Sequence, residues 1–348
     1  MHDLITVGDA GVDVFLALAD NEAEVNCRLD RQDCRISLPY AEKIPIEKLT
    51  KTIAMNACNV AVGAARLGLK TALIASTGTD PDGQLVRAGL KLAKVDSRYL
   101  GHQDQTNFSA VINYQGERTI LVHHAPHRYH WPKPRPTRGL YLTSMKDGWE
   151  SIIPELTDYL ERHKPIFGYN PGTYQLRQGI KVSRALLKLT TVLFVNRQEA
   201  ERYLELPINT PVDKLLHELL ALGPKQVVIT DGPTGAYYSD AQESLFIATY
   251  QVPVVERTGC GDAFATGFMA ARLAGQSTTE TLRWASFEAA AVLQEIGPQA
   301  GYLTKAELTA VGNHRQHFQA VPLMQALDKI QPKPGSRQIR SPKVAQSS

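Results

Sequence analysis

The segment Glu256-Arg257-Thr258-Gly259-Cys260-Gly261-Asp262-Ala263-Phe264 sets a carboxylate beside two glycines. It runs directly into a stretch rich in Ala, Met and Leu that ends near Gly275. That stretch predicts a helix over residues 265–273, with the glycines and Asp262 at its N-terminus. Unpaired amides at a helix start, backed by the helix dipole, attract an anion, and glycine lets backbone approach that anion closely. A carboxylate in the same place repels a phosphate unless it has a separate task. Accepting a proton from an attacking hydroxyl, next to donors that stabilise a transferring phosphoryl group, is such a task. The rival reading is plain: Asp is a frequent helix cap, and on spacing alone the cap is the stronger reading. Cys260 lies at a backbone-donor position, where it reads as a small space-filling side chain rather than a nucleophile.

The elements that must carry this site follow from periodicity. An apolar run at 4–7 stops at Gly8, as a buried strand would, and 11–17 and 35–38 supply further extended pieces. Residues 56–67 read as a helix, with Val60, Ala61, Ala64 and Leu67 on one face and Gly68 closing it. Residues 108–114 and 118–124 alternate and are β-branched around Gln115-Gly116-Glu117, which predicts a hairpin. Strands at 73–75, 139–143, 165–169, 192–195 and 226–230 alternate with helices near 84–92, 149–163 and from Gln198, the pattern of parallel βαβ units. The early pieces do not alternate with helices, so they predict a small separate sheet. No repeat of 20–50 residues is apparent.

Bulk properties narrow the function. The 348 residues are 43% hydrophobic and 21% charged, which suits a chain with a substantial core. The formal net charge of +3 is concentrated at the end of the chain: without Lys333, Arg337, Arg340 and Lys343, 34 basic side chains face 35 acidic ones. The body is therefore near neutral, which argues against a nucleic-acid partner. Residues 331–348 also carry three prolines and four serines and read as a disordered basic tail after a domain spanning 1–330. Cys27, Cys34, Cys58 and Cys260 fit no zinc spacing and read as free thiols in a reducing cytoplasm. The N-terminal stretch has neither a basic leader nor a long apolar run, so no membrane association is expected.

The 256–264 stretch resembles the C-terminal signature of the ribokinase-like, or PfkB-type, carbohydrate kinases, which runs approximately D-T-x-G-A-G-D-x-F. Glu256, Arg257 and Cys260 depart from it, while Gly259, Gly261, Asp262 and Phe264 are kept. The resemblance implies that the backbone of Gly259, Cys260 and Gly261 forms an anion hole for the γ-phosphate and that Asp262 is the general base. Asn196-Arg197-Gln198-Glu199 is similar to the family's N-x-x-E motif, implying a magnesium-holding role for Glu199 and a place near the phosphates for Asn196. Without that resemblance the same four residues read as an Asn-capped helix start. Thr230, Gly232 and Gly235 match the nucleotide-binding loop T-x-G-x-x-G, otherwise an ordinary turn.

The acceptor side is less faithful. Asp13 is retained where the family binds acceptor hydroxyls, but Gly11 stands where ribokinases carry Asn. Ala54-Met55-Asn56-Ala57-Cys58-Asn59 resembles G-G-N-x-x-N with both glycines lost and Asn56 and Asn59 kept. Asn59 also reads as a polar residue on a helix face with no ligand. Arg118 either reaches the acceptor or the phosphates or is a surface arginine on a hairpin. Gly78-Thr79-Asp80 with Gly83 reads as structural. The resemblance spans residues 3–308, with some six motifs in family order.

Its implications form one picture: a doubly wound, mostly parallel α/β sheet flanked by helices, with a small β lid from about 11–50 and 104–125. The expected reaction is in-line transfer from Mg-ATP to a hydroxymethyl group of a sugar, with room for a monovalent cation as a further cofactor. A nucleoside or a sugar phosphate is the alternative acceptor. The sugar phosphate would need cations such as Arg28, Arg31, Arg35 and Arg118. Pairing of lids implies a homodimer. A non-catalytic ligand-binding relative is the reading from another class. A dinucleotide-dependent oxidoreductase lacks support, since no G-x-G-x-x-G follows the first strand.

Overall fold

The computed structural model describes residues 1–19, 21–27, 34–115 and 117–330. The readings made for Arg28, Arg31, Gly116 and the tail 331–348 lie outside the described residues. The first strands are β1 (Leu4–Val7), β2 (Gly11–Leu18), β3 (Glu24–Cys27), β4 (Cys34–Ser37) and β5 (Ile46–Ala54). They are followed by β6 (Thr71–Gly78), β7 (Leu100–Gln103), β8 (Asn107–Tyr114), β9 (Glu117–His123) and β10 (Gly139–Leu142). The last are β11 (Ile166–Tyr169), β12 (Val192–Asn196), β13 (Gln226–Thr230), β14 (Gly235–Asp240), β15 (Ser244–Ala248) and β16 (Val321–Pro322).

Ten strands form the main sheet in the order β16-β15-β14-β13-β12-β11-β10-β1-β6-β7. Pairing is parallel from β7 to β13, and β14 to β16 add an antiparallel edge. Every residue of β1, β6 and β10 is buried, as expected of parallel strands covered on both faces. Ile5, Leu140, Leu142 and Phe167 pack into one face layer, whereas Leu4, Tyr141, Val192 and Phe194 pack into the other. The second layer includes Phe264, Phe268 and Met269, which fix the helix Cys260–Leu273 against the sheet. From β1 the chain builds outward on one side through β6 and later on the other through β10. Such a switch point opens a crevice at the carboxyl ends of the strands.

A separate four-stranded sheet, β5-β2-β8-β9, stands beside this crevice, and β3 with β4 forms a two-stranded ribbon. Asp13 faces Thr52 on one side and Ser109 on the other, and Ser109 in turn faces Val122. The doubly wound, mostly parallel sheet and the small sheet agree with expectation. The antiparallel edge and the length of β5 do not show in the sequence pattern. β5 reads Ile-Glu-Lys-Leu-Thr-Lys-Thr-Ile-Ala and lies largely exposed, so no apolar run marks it.

The expectation of four free thiols is corrected: Cys58 and Cys260 are free, but Cys34 is disulfide-bonded. The ribbon β3–β4 has few packing partners, which is the setting in which a covalent link adds most. The turn at Asp80 is structural, as expected. Its carboxylate accepts from Gly83 N at 2.7 Å and from Thr106 N at 2.9 Å, tying the helix Pro81–Leu92 to the start of β8. A Cβ at Gly83 would lie 1.8 Å from Gly78 O. Among the described residues no helix is long and apolar enough to cross a membrane.

Candidate active site

The strand ends lay the site out in order. Asp9 follows β1, Ser144 follows β10, Asn170 follows β11, and Asn196 and Thr230 close β12 and β13. All five line one cleft of about 1100 Å³, bounded on its open side by β9 of the small sheet. The helix Cys260–Leu273 points its N-terminus into the same cleft, with Gly259, Cys260, Gly261 and Asp262 in the wall.

Gly259, not Asp262, is the N-cap of that helix. Asp262 is buried, and its two oxygens accept from two amides: Asn56 Nδ2 to Oδ1 at 3.0 Å and Asn59 Nδ2 to Oδ2 at 2.8 Å. Asn59 is held in turn, since its Oδ1 accepts from Gln299 Nε2 at 2.9 Å. Burial pushes the Asp262 carboxyl up to about 7, against the two amides that favour its charged form. Asp13 and Glu199 add repulsion in the same direction. The Asp13 carboxyl is likewise raised, to about 6, by burial and by the charge of Glu256, against a hydrogen bond from Ser109. A carboxyl poised near neutrality can take a proton and return it, which a fully ionised surface acid does poorly.

The two glycines differ in what requires them. Gly259 sits at φ 83°, and a Cβ there would lie 2.5 Å from Pro298 Cβ. A Cβ at Gly261 would meet nothing within 4 Å. Packing explains the first glycine and leaves the second unexplained by the protein itself. Between them Cys260 is pushed up to about 12, chiefly by burial, so its thiol is inert at neutral pH and the space-filling reading stands. Glu256 caps the loop by accepting from Thr258 N at 2.8 Å and Thr258 Oγ1 at 2.6 Å. Its Oε1 also faces Arg118 Nε at 3.8 Å, and Arg257 Nε faces Glu117 Oε1 at 3.4 Å. These crossed pairs tie β9 to the loop, and they account for both departures from the expected signature at 256 and 257.

At the other end, Asn196 and Glu199 form a capping box on the helix Arg197–Tyr203. Asn196 Oδ1 accepts from Glu199 N and Glu199 Oε2 from Asn196 N, both at 2.8 Å. The helix-start reading is thus present in the structure, and both residues line the cleft as well. Burial raises the Glu199 carboxyl. Among the described residues no group of three or more His, Cys, Asp or Glu could hold a metal ion. A lone carboxylate such as Glu199 suits a hard cation that keeps water and other non-protein oxygens as its remaining ligands. Thr230, Gly232 and Gly235 line the adjacent wall. Their loop closes by Asp231 N to Gly235 O at 2.8 Å, and a Cβ at Gly235 would lie 2.1 Å from Ile247 O.

Asp13, Asn56, Asn59 and Arg118 are brought together in the cleft, with Met55 beside them. Arg118 is exposed, and it lines the cleft with its guanidinium facing Glu256. Gly11, the departure from the ribokinase Asn, has no room for a side chain: a Cβ would lie 2.3 Å from Asn107 O. Beyond these, Asp9 receives Tyr129 OH at 2.8 Å and lies 3.3 Å from His124 Nδ1.

The profile of the pfkB family of carbohydrate kinases matches residues 23–305. The chain belongs to that family. As a pfkB-family member it is a phosphotransferase that acts on an alcohol group. It is 26% identical over 250 residues to an uncharacterized sugar kinase of Archaeoglobus fulgidus, covering 69% of this chain and 98% of the relative. It is 26% identical over 259 residues to the ribokinase of Bacillus subtilis, covering 72% and 84%. Its fold matches Arabidopsis thaliana ribokinase, solved with ribose and ATP, at a TM-score of 0.72 and 19% identity over 89% and 98% of the two chains.

Within the pfkB pattern, sequence reasoning missed the residues that hold others. Gln299 lies in Gly-Pro-Gln-Ala-Gly, a turn with no periodic or motif signal. Ser109 reads only as an alternating strand residue. Asp9 stands four residues before Asp13, which drew the role.

Proposed function

We propose that this chain transfers the γ-phosphoryl group of ATP to a hydroxymethyl group of a sugar, with Asp262 as general base. The observation that supports it is the buried Asp262, raised to about 7, at a helix start where a Cβ on Gly261 would meet nothing within 4 Å. In this reading the acceptor hydroxyl gives its proton to Asp262, and its oxygen attacks the γ-phosphorus in line with the departing diphosphate. The amides of 259–261 hold the transferring oxygens, where their dipoles are already oriented and need no reorganisation. Asp13 orients the acceptor, and Asn56 and Asn59 hold the base until the hydroxyl competes for it. Thr230, Gly232 and Gly235 shape the nucleotide wall.

Magnesium, when bound, would offset charge on the phosphates, and Glu199 with Asn196 would hold it there. A monovalent cation fits at Glu256, whose buried Oε2 has no hydrogen-bond partner among the described residues. We assign the reaction to the cytoplasm, where ATP is abundant. The small sheet acts as a lid from about 11–50 and 104–125, tied to the anion loop by the pairs at 117–118 and 256–257. Its outer face aligns Leu49, Leu16 and Ile112 across three strands, with Leu121 one row along. Leu49 is 59% and Leu121 58% exposed, and we assign this face to a second copy of the chain. Leu121→Glu should convert a dimer to a monomer in sedimentation velocity; an unchanged species would end that assignment.

The kinase reading is tested by ATP consumption against a panel of sugars, sugar phosphates and nucleosides, with Asp262→Asn alongside. The reading fails if no acceptor is turned over faster by the wild type than by the variant.

A further inference from the structure

Met55 is the residue where this chain works against its own backbone. It is the N-cap of the helix Asn56–Arg66 and sits at φ 80°, ψ 150°, with no side-chain cap. That corner of backbone space is close to glycine-only, and holding another residue there stores strain. Among the described residues, seven other non-glycine residues have positive φ, between 47° and 66°, and all seven are exposed and lie off the cleft. Met55 alone of the eight lines the site. Its carbonyl is engaged at the helix start, accepting from Asn59 N at 2.8 Å, so the strained peptide is fixed in the wall that carries Asn59.

The side chain replaces polar reach with an apolar surface. A glycine here would leave acceptor hydroxyls free to approach backbone groups at the helix start. A thioether chain in that space excludes water and offers no strong hydrogen-bond partner. Across the small sheet the apolar Ile120 and Val122 line the same cleft, with Asp13 and Ser109 as polar groups in the row of Val122. The same cleft therefore holds hydrogen-bonding groups at Asp13, Asn56, Asn59 and Asp262 and apolar side chains at Met55, Ile120 and Val122. A hydroxyl pressed on that surface would lose its water without replacement.

Building on the kinase reading, we infer that Met55 is a specificity-determining residue that selects a polyhydroxylated acceptor with one deoxygenated edge, a deoxysugar in chemical class. The strain is retained because the side chain contributes to selection. Relief of the strain by glycine would open the pocket to fully hydroxylated sugars.

The test measures binding without nucleotide, by calorimetry, for pentoses and hexoses paired with their 2-deoxy and 3-deoxy analogues. Wild type, Met55→Leu, Met55→Ala and Met55→Gly are compared. Wild type and Met55→Leu should favour one deoxy analogue over its parent. In Met55→Ala and Met55→Gly that ratio should fall about tenfold or more, the worth of one hydroxyl left facing an apolar wall. Met55→Gly should also melt above Met55→Ala, because only glycine removes the strain. Unchanged ratios in both small variants would overturn the inference, as would a wild type that binds no member of the panel. Phosphoryl transfer is assayed separately on the same proteins: a ratio that shifts without any transfer would sink the kinase reading and leave the role of Met55 standing.

Discussion

Two helices open on the cleft with a positive-φ N-cap that contributes no side-chain hydrogen bond. Gly259, at φ 83°, starts Cys260–Leu273, and Met55, at φ 80°, starts Asn56–Arg66. They are joined across the site, because Asn56 and Asn59 of one helix hold Asp262 of the other. At the first helix, small residues are kept even where packing would accept more: a Cβ at Gly261 would touch nothing within 4 Å. At the second, a large side chain is kept where the backbone resists it. In the proposed kinase reading, the phosphate end is held open for a group that every nucleotide triphosphate shares. The acceptor end is filled, which is how a pocket rejects what it should not take.

The largest effect should come from the carboxylate between the two helices. Asp262→Asn should lower kcat by roughly 10²–10⁴-fold in steady-state assays if the group is the base. Because the base must be ionised, wild-type activity should rise with pH through about 7 and level off above it. A rate that falls across that range would contradict the assignment. The glycines separate more finely. Gly261→Ala should fold normally, alanine being favoured over glycine inside a helix by ~0.5–1 kcal/mol. It should nevertheless lose about tenfold or more in kcat, since the added methyl enters the space the phosphoryl group needs. Gly259→Ala should instead lower the melting temperature, through clash with Pro298 and an unfavourable φ costing about 1–3 kcal/mol. Equal behaviour of the two variants would erase the contrast between a ligand-required and a fold-required glycine.

The same contrast explains what was legible in the sequence. The phosphate end is written in consecutive residues, because a helix N-terminus needs its glycines and its carboxylate within one turn. The parallel sheet was legible for a similar reason, as β1, β6 and β10 are buried throughout and each carries a short apolar run in consecutive residues. The acceptor end is assembled from β2, β5, β8, β9 and two helix starts, so its contacts link residues as far as 240 positions apart. Spacing carries no trace of such contacts. The crossed pairs Arg118–Glu256 and Glu117–Arg257 show why two departures from the family pattern come together: each is intelligible only with its partner on β9. Cys34 was misread because a long chain needs no disulfide, whereas a two-stranded ribbon off the main body gains from one. The strain at Met55 is invisible in the residue string, where methionine before a helix is unremarkable.

The smallest effect tests how the acceptor helix controls the base. Gln299 Nε2 donates to Asn59 Oδ1, which leaves Asn59 with its amide group directed at Asp262 Oδ2. That amide is the strongest influence holding the Asp262 carboxyl down against burial. In Gln299→Leu the Asn59 side chain loses its orienting partner and spends less time donating to Asp262. The carboxyl should then titrate above its wild-type value, and the rising limb of kcat against pH should move in the alkaline direction. If the limb moves by about half a unit, activity at pH 6.5 falls roughly threefold and recovers fully at pH 9. A general loosening of the pocket would lower the whole profile by one factor and leave its midpoint in place. The two outcomes differ in the shape of a single pH profile. The alkaline shift alone would show that Gln299 positions a proton acceptor it does not touch.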